Sequence, residues 1–211
     1  MSGSEEVRRI VMTPAARRVL EAAERLFYER GIHAVGVDLI AAEAGVTKKT
    51  LYDRFGSKDQ LVVEYLADRD ERWRDFLATR LEAAETTPRD RILCVFESSR
   101  AWAQEHSTKG CSMVNAHAEI SSPSHPAHPV IAGQKQWMLH LFADLTSKAV
   151  TTDSEQLART LMLLHEGALV AHGLALFPDP IGHARDQARI LLDAAMRDET
   201  PGERRTDDSS A

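Results

Sequence analysis

The stretch Val37-Asp-Leu-Ile-Ala-Ala-Glu-Ala-Gly45-Val-Thr-Lys-Lys-Thr-Leu-Tyr-Asp-Arg-Phe55 holds two short amphipathic segments parted by a glycine. Gly45 stands where a tight turn between helices needs a backbone that tolerates positive φ. Ala41, four residues earlier, keeps the crossing close because its side chain is small. Ile40, Ala44, Val46 and Leu51 form an apolar seam that sets the second segment steeply against the first. Thr47 precedes that second segment and can cap it by accepting from a backbone N–H. Lys48, Lys49 and Thr50 are thereby left on the exposed leading turn. A helix presented this way enters a DNA major groove with its first residues on base edges. Lysine donates to guanine O6 and N7, and threonine contacts a base edge or the thymine methyl. Tyr52 and Lys58 are placed to reach flanking phosphates, with Ser57 capping the next helix. The spacing alone is also compatible with two packed helices carrying a solvated charged face.

Charge distribution bears on that choice. The 211-residue chain has a formal net charge of −6, but the acidity is uneven. Residues 1–60 carry ten Lys/Arg against nine Asp/Glu, and the remainder carries sixteen against twenty-three. Within Ala44–Lys58, Lys48, Lys49, Arg54 and Lys58 face Asp53 alone. An acidic body with one small basic patch suits a protein that touches phosphate at a single place.

Working outward, nearly every long segment has a helical period. Ala16, Val19, Leu20, Ala23, Leu26 and Phe27 predict a first helix, capped by Thr13, started by Pro14 and closed by Gly31. Further helices are expected at about 57–84, from Pro88 onward, from Gly110 to about Ile120, and at about 130–149, 153–176 and 181–198. The run Ser121–Pro129 is a proline-punctuated loop. No β-hairpin signal or repeat occurs, so the fold class is all-α: a three-helix head on a larger helical body. The division expected is a flexible arm at 1–12, a DNA-reading head at 13–56, a body at 57–198 and a disordered tail at 199–211. No apolar run reaches membrane-spanning length, and the charged N-terminus does not resemble a signal peptide, so a cytoplasmic location is expected.

Residues 13–66 resemble the N-terminal domain of the tetracycline-repressor (TetR/AcrR) family of bacterial regulators. The matching signature is Ile40-Ala41, Ala44-Gly45-Val46-Thr47, Thr50-Leu51-Tyr52 and Phe55-Gly56-Ser57-Lys58-Asp59, followed by Leu61. Gly36 departs from it, because many members place a threonine or serine cap there. The resemblance implies a nine-helix, Ω-shaped homodimer whose body holds an effector pocket and whose last two helices form the dimer interface. It further implies a transcriptional repressor, released from a near-palindromic operator by a small molecule.

The residues suggest where those functions lie. The segment at 153–176 is apolar nearly all round, so one face is surplus to its own core. Leu157, Leu161, Leu164 and Ala168, with Ala184, Ala188, Leu191, Leu192 and Ala195 on the last helix, are the candidate dimer contacts. Phe96, Trp102, Met113, Trp137, Met138, Phe142 and Met162 come from helices expected to converge, and methionines and aromatic rings suit an irregular apolar ligand. Asn115, His117 and His165 are the polar groups expected to orient it. A well-filled core would use the same residue types, and His165 could equally be a hydrogen-bonded histidine at a helix interface.

Other chemistry has weaker signals. His117-x-Glu119 with His125 and His128 could supply metal ligands, but the one-residue spacing turns the first two side chains to different helix faces. No metal and no cofactor are expected. Cys94 and Cys111 lack zinc-ligand spacing and are expected as reduced thiols, with thiol-based sensing by Cys111 as the alternative regulatory reading. There is no glycine-rich phosphate loop, nucleophile elbow or convincing carboxylate pair, so the chain is not expected to be an enzyme.

Overall fold

A computed structural model describes residues 9–84, 87–106 and 108–198. Most of the expected arm and all of the expected tail, residues 1–8 and 199–211, lie outside the described residues. Nine helices follow one another without a strand among the described residues: α1 (Pro14–Arg30), α2 (Val37–Glu43), α3 (Lys48–Phe55), α4 (Lys58–Ala83), α5 (Pro88–His106), α6 (Ser112–Glu119), α7 (His128–Ala149), α8 (Ser154–Gly173) and α9 (Pro180–Asp198).

Local chemistry fixes most of these ends. Thr13, Thr47 and Ser57 cap α1, α3 and α4, each accepting from the backbone N–H three residues on. Such a cap satisfies one of the orphan donors of a first turn and contributes about 1 kcal/mol. Gly36 occupies the cap position of α2 with no side-chain bond, as its lack of a side chain requires. Gly45 takes φ +63 in the turn between α2 and α3.

Helix α8 ends at Gly173, short of the expected residue 176. A Cβ built on Gly173 would lie 2.7 Å from the carbonyl carbon of Lys109, and one on Gly110 would lie 2.9 Å from the Leu169 carbonyl oxygen. The segment entering α6 therefore crosses the end of α8 at backbone contact distance, and two glycines make that approach possible. Beyond it, Ala175 adopts φ 49, which stops the helix.

Two apolar cores result. The head core joins Leu20, Phe27, Ile40, Leu51 and Phe55 to Leu61, Val62, Tyr65 and Leu66 of α4, and it takes in Met113 and Ala116 from α6 and Ile131 from α7. The body core runs from Trp73 and Leu77 through Ile92, Phe96, Met138 and Phe142 to Leu161, Ile181 and Leu192. Burying a large side chain of this kind contributes roughly 1.5–3 kcal/mol. The boundary between the two cores therefore falls inside α4, between Leu66 and Trp73.

Residues 9–12 lie against the head, where Ile10 and Met12 pack on its core. The fully buried carboxylate of Glu64 accepts from the backbone N of Ile10 at 2.9 Å, Arg9 Nε at 2.8 Å and Gln60 Nε2 at 3.1 Å.

This packing corrects five of the nine expected dimer residues and leaves the other four partly exposed. Leu161, Ala168, Ala184, Ala188 and Leu192 are buried within the chain's own body core, and Leu157 and Leu164 pack against it. Leu191 and Ala195 are half-buried. The apolar face left open on α8 is Leu163, Gly167, Val170 and Leu174, with Leu163 75% exposed. Ile190 on α9 (58% exposed), Leu176 and Phe177 are exposed apolar residues as well. Both stripes of α8 have helical spacing, and contact with its neighbours selects the first for the core.

Candidate functional site

The head presents α3 at its surface. The Thr47 hydroxyl accepts from Thr50 N at 3.1 Å and lies 2.8 Å from the Thr50 hydroxyl, so the two threonines lock the leading turn. Leu51 and Phe55 anchor its inner face in the head core. Lys48 and Lys49 are exposed, as is Tyr52. Lys48 Nζ donates to Asp38 Oδ2 at 2.9 Å, and Lys49 Nζ to Asp53 Oδ2 at 2.7 Å. The hydrogen bond and charge of Asp38 raise the Lys48 pKa, so its ammonium stays charged. Exposed pairs of this kind contribute little stability and exchange readily for phosphate or base partners.

Five of the six expected DNA contacts, Thr47 to Thr50 and Tyr52, thus share one turn and its flank. Lys58 does not project with them. It is half-buried, with its ammonium 5.9 Å from the Phe27 ring centroid, and burial lowers its pKa. The exposed Arg54, in the last turn of α3, is a further cation on this helix.

The body holds a partly open cavity of about 60 Å³. Helix α4 gives it Arg69, Asp70 and Trp73, and α5 gives Ser99 and Trp102. Cys111, Ser112 and Met113 come from the start of α6, Gln134 and Lys135 from α7, and His165 and Leu169 from α8. His165, 4% exposed, holds its Nε2 2.8 Å from Ser99 Oγ. Lys135 Nζ lies between Glu166, at 2.7 and 2.9 Å, and Cys111 Sγ, at 3.2 Å. Asp70 Oδ1, Gln134 Oε1 and His165 Nδ1 are buried polar atoms with no hydrogen-bond partner among the described residues.

Of the ten residues expected around an effector, Trp102, Met113 and His165 line this cavity. Phe96, Met138 and Phe142 are fully buried in the layer behind it, with the two phenylalanine rings each 5.9 Å from the His165 ring. Met162 packs half-buried against the body core. Trp137 lies elsewhere, under the Arg74 guanidinium at 4.3 Å.

Asn115 and His117 do not line this cavity. Asn115 donates to the Lys109 carbonyl at 3.0 Å and faces a cleft beside α1. His117 is exposed, with its ring 5.9 Å from that of His128. It shares a helix face with Met113, but four residues of rise, about 6 Å, carry it past the cavity. Among the described residues no group of three or more His, Cys, Asp or Glu has the geometry to hold a metal.

The sequence reading missed Trp73, Gln134, Lys135 and Leu169. Trp73 carried a usable signal, a large aromatic one helix away from Trp102. The Lys135–Glu166 pair spans 31 residues and leaves no local trace.

Burial works to raise the Glu166 pKa, but the neighbouring His165 ring and the Lys135 ammonium outweigh it and hold the carboxyl at about 2, against an ordinary 4.5. Lys135, at 2.7 and 2.9 Å, is the firmer contact, since His165 Nδ1 lies 3.4 Å away without bonding geometry. A folded-state pKa below the unfolded one means stability that is full above pH 4.5 and lost as pH falls toward 2. Acid unfolding followed by circular dichroism should therefore show a shallower loss over that window in Glu166→Gln than in the parent chain.

Comparison with known proteins agrees with this geometry. Residues 19–65 match the family model described as bacterial regulatory proteins, tetR family. A solved TetR-family transcriptional regulator from Streptomyces coelicolor superposes with a TM-score of 0.76 at 31% identity, covering 87% of this chain and 95% of that one. The chain belongs to the TetR family. As a TetR-family protein it is a DNA-binding transcriptional regulator, with the helix-turn-helix at α2 and α3. Regulators of this family are typically dimers.

Two curated relatives are similar over shorter spans. The transcriptional activator FasR of Mycolicibacterium smegmatis is 32% identical over 117 residues, 54% of this chain and 52% of FasR. The transcriptional repressor KstR2 of the same species is 35% identical over 91 residues, 41% of this chain and 42% of KstR2. The chain thus spans about half the length of these relatives or less.

Proposed function

We propose that this TetR-family regulator is a homodimeric repressor, which leaves a near-palindromic operator when a small molecule occupies the body cavity. The observation that carries the reading is the double membership of α6. Cys111, Ser112 and Met113 form a wall of the cavity, while Met113 and Ala116 are also part of the head core. The far end of α6 is tied down too, because the Glu119 carboxylate accepts from the backbone N of His33 at 2.9 Å. At its near end, the Tyr28 hydroxyl accepts from Lys109 N at 2.7 Å.

At about 60 Å³ the cavity is far smaller than the roughly 300–1,000 Å³ of typical small-molecule sites. A ligand of ordinary size enters only if the helices around it separate. Two of those helices, α4 and α6, carry the head. Ligand binding that favours a different head spacing must weaken operator binding by the same factor that operator weakens ligand binding. The exposed apolar residues of α8 and α9 support the dimer, and two-fold symmetry then sets two heads on two half-sites. A protein working on the chromosome acts in the cytoplasm.

FasR and KstR2 carry opposite signs of regulation in their names, so the decisive experiment reads transcription. Operator sites are selected from genomic DNA, and run-off transcription is measured from a promoter bearing one. Added protein should lower the transcript, and a small molecule that raises the protein's melting temperature should restore it. A rise on adding protein would instead identify an activator. The contact of Lys135 with Cys111 Sγ favours, as a second reading, a thiol switch at Cys111. The same assay with N-ethylmaleimide-treated protein decides it, since unchanged repression removes the thiol from the mechanism.

A further inference from the structure

Two oxygens on residues that line the cavity, one carboxyl and one amide, have no hydrogen-bond partner among the described residues. Asp70 commits Oδ2 to Arg74 Nε at 3.0 Å, while its Oδ1 is buried without a partner. Gln134, 7% exposed, has its Oε1 in the same state on α7. The cations of the wall are already committed. Lys135 is held by Glu166, and Arg69 donates to Glu24 at 3.3 Å and to the His106 carbonyl. The Ser99 hydroxyl donates to the Val95 carbonyl at 2.9 Å. Alongside, the rings of Trp73 and Trp102 meet edge to face at 5.7 Å. A buried oxygen without a partner costs free energy until a donor reaches it.

We propose that the effector presents hydrogen-bond donors, N–H groups of amide, amidine or urea type, to Asp70 Oδ1 and Gln134 Oε1, with a flat apolar body against Trp73 and Trp102. This rests on the body cavity being the effector site. A carboxylate there would set acceptor against acceptor and add repulsion from Asp70. A ligand carrying only carbonyl or ether oxygens would leave both protein oxygens unsatisfied. Sites built to bond a donor reject analogues that lack it far more strongly than apolar pockets reject a missing methylene.

Four probes sharing a benzene ring test the class on the full chain: benzamide, benzamidine, N,N-dimethylbenzamide and benzoate. The readout is the indole N–H resonances of the three tryptophans, assigned by single Trp→Phe variants. Trp137 lies under Arg74, the partner of Asp70, so its signal is followed beside the other two and an added inert standard serves as the reference. Benzamide and benzamidine should shift the Trp73 and Trp102 signals, with the other two probes binding at least about tenfold more weakly. Asp70→Asn can turn an N–H into the cavity, so N,N-dimethylbenzamide should gain on benzamide in that variant. Benzoate or N,N-dimethylbenzamide binding as tightly as benzamide to the parent chain would overturn the donor class and leave the cavity as a site. An unchanged ranking in Asp70→Asn would overturn the role given to Asp70. If no probe moves Trp73 or Trp102 while the protein still binds its operator, the cavity itself is wrong and the proposal falls with it.

Discussion

Replacing Lys48 and Lys49 together by alanine should cut operator affinity by at least about a hundredfold while leaving the protein folded, since one lysine on a base edge is worth roughly ten- to hundredfold. Both ammonium groups stand on the first turn of α3, where a major groove would receive them. In the free protein each pairs with an exposed aspartate, Asp38 at 2.9 Å and Asp53 at 2.7 Å. Neither lysine packs in the head core, and the Thr47 cap with Leu51 and Phe55 holds α3 without them. The melting temperature of the double variant should therefore stay within a few degrees of the parent, as surface pairs contribute little. Fluorescence anisotropy on a selected operator, repeated at several salt concentrations, separates two roles. A lysine on a phosphate weakens all sequences alike and makes the salt dependence shallower, whereas one on a base relaxes the preference at a single position. Undiminished affinity in the folded double variant would remove α3 as the reading helix.

Val170→Glu and Leu163→Glu should each convert the protein to a monomer at micromolar concentration. The two positions belong to the open stripe of α8, spaced at helical intervals with Gly167 and Leu174, and Ile190 of α9 is exposed as well. Large apolar side chains exposed at this spacing on one helix signal an interface. In a two-fold dimer each substitution enters twice, so two carboxylates lose water without a partner, at a cost of several kcal/mol apiece. The fold of each chain should survive, because the side chains being replaced point away from the body core. Sedimentation velocity reads the assembly directly. Operator affinity should fall by at least about a hundredfold in parallel, since one head grips one half-site and forfeits the other's phosphate and base contacts. Leu161→Glu provides the contrast: Leu161 is fully buried inside the body, so this variant should fail to fold. A dimer that persists in both surface variants would place the interface elsewhere.

The parts of this protein that the sequence determined are those whose causes lie within a turn or two of chain. Caps at Thr13, Thr47 and Ser57, the positive-φ turn at Gly45 and helical periodicity located the elements within a few residues. The reading helix belongs here, because the Ala41–Gly45 crossing, the cap and the exposed lysines all fall between residues 37 and 55. What only the tertiary structure decided is which face of a helix meets which neighbour. Helix α8 offers two apolar stripes of similar composition, and the identity of the core stripe follows from α5, α7 and α9 packing on Leu161, His165 and Ala168. The same holds for the cavity. Its wall draws on five helices, and Lys135 meets Glu166 and Cys111 across 31 and 24 residues, distances over which no periodicity carries information. His117 looked right by type and by its spacing from Met113, yet α6 leaves the cavity within one turn. Residue type and helical phase are local properties, while burial depends on where the rest of the chain comes to lie.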